Sequence, residues 1–368
     1  MGNWIFYYLS FGSYATVALL DSGSVMAGLL MEIPTGAFAD IMGKKKTLMI
    51  AFLLQAIGNI MMGISGSFWM LAISLWLFVC VGGAFYSGTL DALVFDSLKV
   101  LKEEHLFERK IGTINATRLW AMAICGVIGG LLYSFSPGLP YILNGIVCLT
   151  GLIACFYLEE PKIDTDKYSI MSFFKQNTLG IKELFKNAYM SKLSLFLIAT
   201  GAMGIFIYNI LDDLLAVEYG YSPLGVSILF SIVCLVAGFA SLYLPRWKVK
   251  LDQRLVLIVS MIVMALLLIL SPVVGMIAGG VLLLFRVILE VLGDNAASVM
   301  VNLNTESKVR ATTLSSLSLL RSIPYAVGGS LLGSAVLLVG GARNFAMWFG
   351  LVLMIIAVVL GLRIEKRV

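Results

Sequence analysis

Stretches of about 20 predominantly apolar residues recur throughout this chain, and no other feature narrows its fold so sharply. They fall roughly at 17–39, 47–66, 69–97, 112–134, 139–158, 191–217, 223–245, 255–272, 275–301, 311–338 and 342–362. In hydrocarbon every backbone N–H and C=O must be bonded within the chain, which leaves only helices and closed barrels. Runs of this length match a bilayer as helices and are about twice too long for barrel strands. With 60% of residues hydrophobic and 13% charged, against about a quarter charged in soluble domains, a water-soluble globule could not hide the apolar surface. The expectation is an all-α, multi-pass membrane protein with about eleven full spans. NWIFYYLS at 3–10 precedes them and is too short to cross alone.

The net charge of +5 gains meaning from its placement. Lys44, Lys45 and Lys46 share one loop, and Lys99, Lys102, Arg109 and Lys110 share the next on that side. Arg246, Lys248, Lys250 and Arg254, then Lys308 and Arg310, then Arg363, Lys366 and Arg367 continue the pattern. The alternate loops carry almost no cations, Arg343 excepted. By the positive-inside rule the basic loops and the C-terminus lie in the cytoplasm, the protein sits in the cytoplasmic membrane, and the charge implies no nucleic acid. The one long polar segment, 159–190, reads as a cytoplasmic linker between an N-terminal bundle, 1–158, and a C-terminal bundle, 191–368, with a short amphipathic helix on the membrane surface. Eleven spans with a cytoplasmic C-terminus would start Met1 outside, yet no leader precedes it; the simplest expectation is that NWIFYYLS is the outer end of a first helix that is largely absent.

Several chemistries are excluded. The five cysteines lie within apolar runs and form no CxxC pair, so they read as small packing residues. His105 is the only histidine, which rules out a zinc site built on several. There is no GxxxxGK[ST] loop for direct use of ATP, and no HExxH or GxSxG for an enzyme. No metal or cofactor is expected.

The stretch EIPTGAFADIMGKKKTL, 32–48, joins two apolar runs with almost no loop. Gly36 and Gly43 permit close backbone approach and a tight turn. Asp40, at one helix end, can face the positive N-terminus of another helix or a lysine, while the lysines meet anionic lipid. Gly36, Asp40, Gly43, Lys44 and Lys45 resemble the loop between the second and third helices of the major facilitator superfamily, with Ile41 replacing the arginine that usually follows the aspartate. EIPTG, GGAFYSGTLDALVFDSLK (82–99) and GTINATRLWAMAICGVIGGLLY (112–133) resemble a branch of bacterial efflux permeases. The resemblance implies a major-facilitator-type two-bundle fold and a monomeric secondary transporter. It also implies a small amphipathic or drug-like substrate, protons as the coupling ion, and Gly36–Asp40–Gly43–Lys44–Lys45 as a conformational latch. Asp96, near the next basic loop, suits a partner for Lys44. A small-metabolite transporter, or a truncated inactive permease, are the alternatives.

A weak repeat supports two-fold construction. Residues 109–130 and 309–329 each begin with a basic residue and threonine and end on Gly-Gly, at Gly129–Gly130 and Gly328–Gly329. With Gly126 and Gly333, these predict close helix contacts.

Ionisable residues inside spans mark function by default. Arg286, Glu290 and Asp294, four apart, share one helix face. Glu290, between a cation and an anion, has a proton affinity that depends on which neighbour it meets, so it is the first candidate for proton coupling, against a static Arg286–Glu290 pair. Arg321 lies at a similar depth. Glu32, Asp91 and Arg118 come from three helices and could form a buried ionic cluster. Asp212 and Asp213 read as solvated residues at an outer helix end, with Asp21 in the same layer. Asp40→Asn is expected to leave expression near normal and to slow switching between access states, because it removes a charge stabilised in only one of them. Accessibility labelling from both membrane faces reads this out; unchanged labelling with unchanged transport would reduce the stretch to a topology signal.

Overall fold

The computed structural model describes residues 2–160, 170–243, 252–306 and 309–364, apart from a few side chains within those ranges. Every described element is helical. The first short helix is α1 (Trp4–Leu9). It is followed by α2 (Tyr14–Met42), α3 (Lys44–Gly63), α4 (the rod Phe68–Val100), α5 (Phe107–Phe135) and α6 (Leu139–Phe156). Then come α7 (Ile170–Leu184), α8 (the rod Ala188–Glu218), α9 (Pro223–Tyr243), α10 (Gln253–Ile269), α11 (Met276–Leu303), α12 (Arg310–Leu338) and α13 (Ala342–Gly361).

Each of the eleven predicted spans is a helix. Among the described residues nine are long and apolar enough to cross a membrane; the apolar part of α9, Pro223–Val236, is shorter, and α12 is a helix of 29 residues. NWIFYYLS is ordered and packed against the rest of the first set. It folds as α1, with Ile5, Tyr7 and Tyr8 buried, and the Tyr7 hydroxyl donates to the Met62 carbonyl at 2.5 Å.

Local chemistry sets the helix ends. Ser67, Asn187 and Asp252 each accept from a backbone N–H within their helix's first turn. Gly43 turns α2 into α3 at φ 91°, a value that favours glycine. The rods α4 and α8 are interrupted by π-helical turns at Ser74–Cys80 and Ile207–Leu211, a local unwinding often found at functional sites, and α4 breaks again at Ser87–Gly88, where Gly88 has φ 69°.

The helices before and after the 161–169 connection form two sets that meet along two seams. In one, α5 runs along α9; in the other, α12 runs along α2. Glycines four apart let both seams close. A methyl group at Gly130 would meet Ser227 at 2.7 Å, and one at Gly126 would strike Ser231. On α12 a methyl group at Gly329 would meet Ser22 at 2.7 Å, and one at Gly333 would strike the backbone of Tyr14 and Ala15. The Gly-Gly pairs predicted as contacts are therefore half used: Gly129 and Gly328 have nothing within 4 Å, because consecutive helix residues point about 100° apart.

The seams are unequal in depth. On the side away from the basic loops, one buried apolar cluster joins both sets, from Ile5, Val17 and Leu20 to Leu211, Tyr325 and Val336. On the basic-loop side the clusters are separate: Leu48, Leu93 and Cys155 in the first set, and Leu193, Leu257, Met300 and Leu317 in the second. The molecule is closed on the far side and open on the basic-loop side.

The amphipathic helix expected in the linker is α7, and it docks on α12. Gly180 is buried against Thr312 and Ser316 of α12, and the Ser316 hydroxyl donates to the Asn177 carbonyl at 3.2 Å. The lack of a side chain at Gly180 permits that approach. Residues 161–169, and with them Lys162 and Lys167, lie outside the described residues, as do Arg246, Lys248, Lys250, Lys308, Lys366 and Arg367.

The glycine seams yield a paired test. Gly333→Ala, which forces α12 off the α2 backbone, should destabilise the protein by about 1–3 kcal/mol and raise labelling from the far side. Gly328→Ala should do neither. Thermal unfolding in detergent and cysteine labelling measure both.

Candidate functional site

The charged side chains within the spans lie on α2, α4 and α5 of the first set and on α8, α11 and α12 of the second. On α11 the predicted stripe is present, but its pairing differs from expectation. Arg286 is 1% exposed and its Nη2 lies 2.6 Å from Asp212 Oδ1 on α8. The static Arg286–Glu290 pair is not formed. A buried guanidinium needs a carboxylate it can reach, and the π-helical turn Ile207–Leu211 delivers Asp212 directly to it. Asp212 and Asp213 are thus not solvated residues at a helix end: Asp213 accepts a hydrogen bond from the Trp4 indole at 2.8 Å.

Arg321, on α12, is also committed. Its Nη1 donates to Asp294 Oδ1 at 3.1 Å, and its Nε donates to the Leu197 carbonyl at 3.1 Å. Gly201 leaves room for its stem against α8. Between these two pairs stands Glu290, and among the described residues no cation lies within ion-pair distance of it. Glu290 lines a cavity of about 200 Å³ with Thr200, Ile205, Met261, Met264, Asp294 and Arg321. Asp294 and Arg321 in that cavity pair with each other, which leaves the Glu290 carboxylate able to hold one positive charge.

In the first set, Glu32 on α2, Asp91 on α4 and Arg118 on α5 are exposed. They do not form the buried ionic cluster expected of them: no ion pair joins any two of the three among the described residues. Asp91 and Arg118 both lie within electrostatic reach of the Tyr86 hydroxyl.

The far side is shut by carboxylates taking neutral donors across the seam. Asp21 on α2 accepts from the Tyr325 hydroxyl on α12. Trp4 and Asp213 make the second such link. Arg343, the one cation in a far-side loop, is used locally. Glu218 accepts from the backbone N–H groups of Ala342 and Arg343 at 2.5 and 2.9 Å, while the guanidinium donates to the Glu218 carbonyl at 2.6 Å and lies 4.9 Å from the Tyr219 ring centroid.

At the basic-loop side Lys44 forms an ion pair with Asp96. Sequence reasoning missed a third member: Glu160 accepts from the backbone N–H groups of Lys44 and Lys45, both at 2.7 Å, which satisfies the first turn of α3 and sets an anion at its positive end. The signal was an acidic pair directly after a span, in LEEP. The Asp40 side chain and the surroundings of Gly36 lie outside the described residues. Tyr325, beside Pro324, and Glu218, at the end of a rod, were likewise missed as partners.

The sequence model of the Major Facilitator Superfamily matches residues 2–329. The chain belongs to the major facilitator superfamily. It is a multi-pass membrane transporter of that type. No curated protein matches it. Among solved structures it resembles a POT family transporter in complex with 5-aminolevulinic acid (TM-score 0.76, 12% identity, covering 99% of this chain and 93% of that one). It also resembles a D-xylose-proton symporter (0.72, 12%, 97% and 90%) and the nucleoside transporter NupG (0.71, 15%, 100% and 96%). At these identities the likeness is one of fold. These structures are described with 5-aminolevulinic acid, D-xylose and nucleosides, so the shared fold does not select a solute.

The buried pair supplies its own test. Asp212→Asn strands a desolvated guanidinium and should cost about 3–5 kcal/mol, whereas Asp212→Asn combined with Arg286→Met should recover most of it. Melting temperatures of the single and double variants in detergent give the comparison.

Proposed function

We propose that this chain is a secondary active transporter that exports a small amphipathic, drug-like solute in exchange for protons, by alternating access. The observation that carries the reading is Glu290: it lines the cavity as a carboxylate without a cation, while the arginines nearest it in sequence and space are held by Asp212 and Asp294. Glu290 then holds one positive charge at a time, either a proton or the cationic part of the solute, and that alternation couples the two fluxes. Met261, Met264 and Ile205 provide apolar surface beside it.

The open side supports the direction. Basic loops face the cytoplasm in multi-pass proteins, so a gap open on that side loads its solute from within. The bundles 1–158 and 191–368 rock about the linker 159–190, the glycine seams act as the far-side closure, and the Lys44–Asp96–Glu160 group steadies the start of α3 when the basic-loop side is open. The resemblance of residues 32–48, 82–99 and 112–133 to efflux permeases favours export over uptake.

Glu290→Gln should abolish proton-driven accumulation in inside-out vesicles and leave a counterflow at saturating solute that no longer varies with pH. Asp294→Asn should reduce the rate without removing its pH dependence. Full uphill transport by Glu290→Gln would dismiss Glu290 and move the coupling role to Asp91.

A further inference from the structure

The helix α7 has two faces, and the protein covers only one of them. The covered face holds Asn177, Gly180 and Leu184, which helical spacing sets on one side. Asn177 and Gly180 meet Thr312 and Ser316 of α12. Leu184 is fully buried in the apolar cluster with Leu193 and Leu317, and its carbonyl accepts from the Ser194 hydroxyl of α8 at 2.8 Å. These contacts seat α7 firmly on the second set.

The other face lies roughly half a turn around the helix. It holds Leu179, Lys182, Phe185 and Lys186, and all four are exposed. Leu179 and Phe185, 45% and 40% exposed, flank the two lysines. Lys186 pairs with Glu183, at the border between the faces, at 2.5 Å. Among the described residues Lys182 forms no ion pair.

Depth decides what this face meets. The helix α12 begins at Arg310, at the basic-loop end, and α7 lies against Thr312 and Ser316 in its first two turns. That is roughly 3 to 9 Å along the axis from Arg310. The span α8 starts at Ala188, just after α7 ends at Leu184. The helix therefore lies at the level where spans leave the hydrocarbon. It also meets α2, so its outer face stands beside the α2–α12 seam.

We propose that the outer face of α7 binds anionic phospholipid, with Lys182 and Lys186 on the phosphate groups and Leu179 and Phe185 at the acyl boundary. Helices with lysines beside exposed leucine and phenylalanine lie in the interface plane, and lysine stems run along apolar surface while their heads reach polar groups. Water alone satisfies the lysines and not the apolar pair; a phospholipid satisfies both. Basic loops mark the cytoplasmic side, whose leaflet carries the anionic lipid. The assignment goes beyond the transport reading and does not depend on it, because binding is measured without solute.

The test uses the purified full chain with Thr178→Cys, on the same exposed face, carrying an environment-sensitive fluorophore, and with Cys125, an exposed cysteine, changed to serine. Phosphatidylglycerol, phosphatidylcholine or glycerol phosphate is titrated into the protein in detergent. Phosphatidylglycerol should shift the emission to the blue and saturate, and the other two should not. Lys182→Gln with Lys186→Gln should raise the half-saturating concentration about 5- to 30-fold, since each lysine near an anionic surface contributes about fivefold and Glu183 already takes part of the Lys186 charge. Lys99→Gln with Lys110→Gln removes the same charge from exposed positions in the first set and should leave the titration unchanged. Leu179→Ser with Phe185→Ser should shrink the emission shift. All these residues are exposed, so the variants should melt as the parent does. An emission blind to phosphatidylglycerol, or an equal loss from the Lys99 and Lys110 pair, overturns the proposal. Saturation by glycerol phosphate at the same concentration also overturns it, because the site would then hold a free anion and no lipid.

Discussion

A guanidinium enclosed among helices must be neutralised where it lies, and Asp212 does this for Arg286. Much of the site follows from that single allocation. It ties α11 to α8 at the depth where α8 unwinds, and it removes the cation that Glu290 would otherwise meet one turn away on its own helix. Arg321 is withdrawn in the same manner, by Asp294 and by the Leu197 carbonyl. The lone charge of Glu290 is thus a product of two pairs formed around it. The same pairs keep the wall rigid, since each joins two helices by a short contact rather than by a flexible surface bridge.

The two faces of the molecule are held by different chemistry. At the far side, backbones approach through Gly329 and Gly333, and carboxylates accept from neutral aromatic donors, Tyr325 to Asp21 and Trp4 to Asp213. Such contacts hold two surfaces together without burying a full ion pair between them, so separating them leaves no unpaired cation behind. On the basic-loop side the strong ionic contacts stay within one set: Lys44 with Asp96, and Glu160 with the start of α3. Among the described residues, the links across the halves use neutral donors, and the ion pairs lie within a half.

The fold was largely legible because it follows from length and polarity. Eleven apolar runs and alternating basic loops fix eleven helices, and the Gly36–Asp40–Gly43–Lys44–Lys45 spacing points to the superfamily. The turn at Gly43 and the Lys44–Asp96 contact could be read from residue type and depth. Partners across the gap could not. Four-residue spacing says that Arg286 and Glu290 share a face, but not that Asp212 on another helix reaches Arg286 first. That depends on a π-helical turn, which changes the facing of residues 212 and 213 by one position and has no signature in composition. Gly129 and Gly328 were misjudged for a related reason: a Gly-Gly pair marks a place, whereas contact needs a four-residue period. Glu160 escaped notice because it lies beyond the apolar run, outside the segments where charges attract attention.

Glu160 also sets a mechanical limit. It is clamped to the first turn of α3, while α7, which begins at Ile170, is seated on α12 through Gly180 and Ser316. The chain between them is fixed at one end to the first set and at the other to the second. Ten peptide links at roughly 3.3–3.6 Å each reach no farther than about 35 Å. The connection is a tether of known maximum length, and no rocking motion can carry these two anchors beyond it while both remain seated. Lengthening or shortening that segment would alter how wide the entrance can become without touching any residue of the cavity.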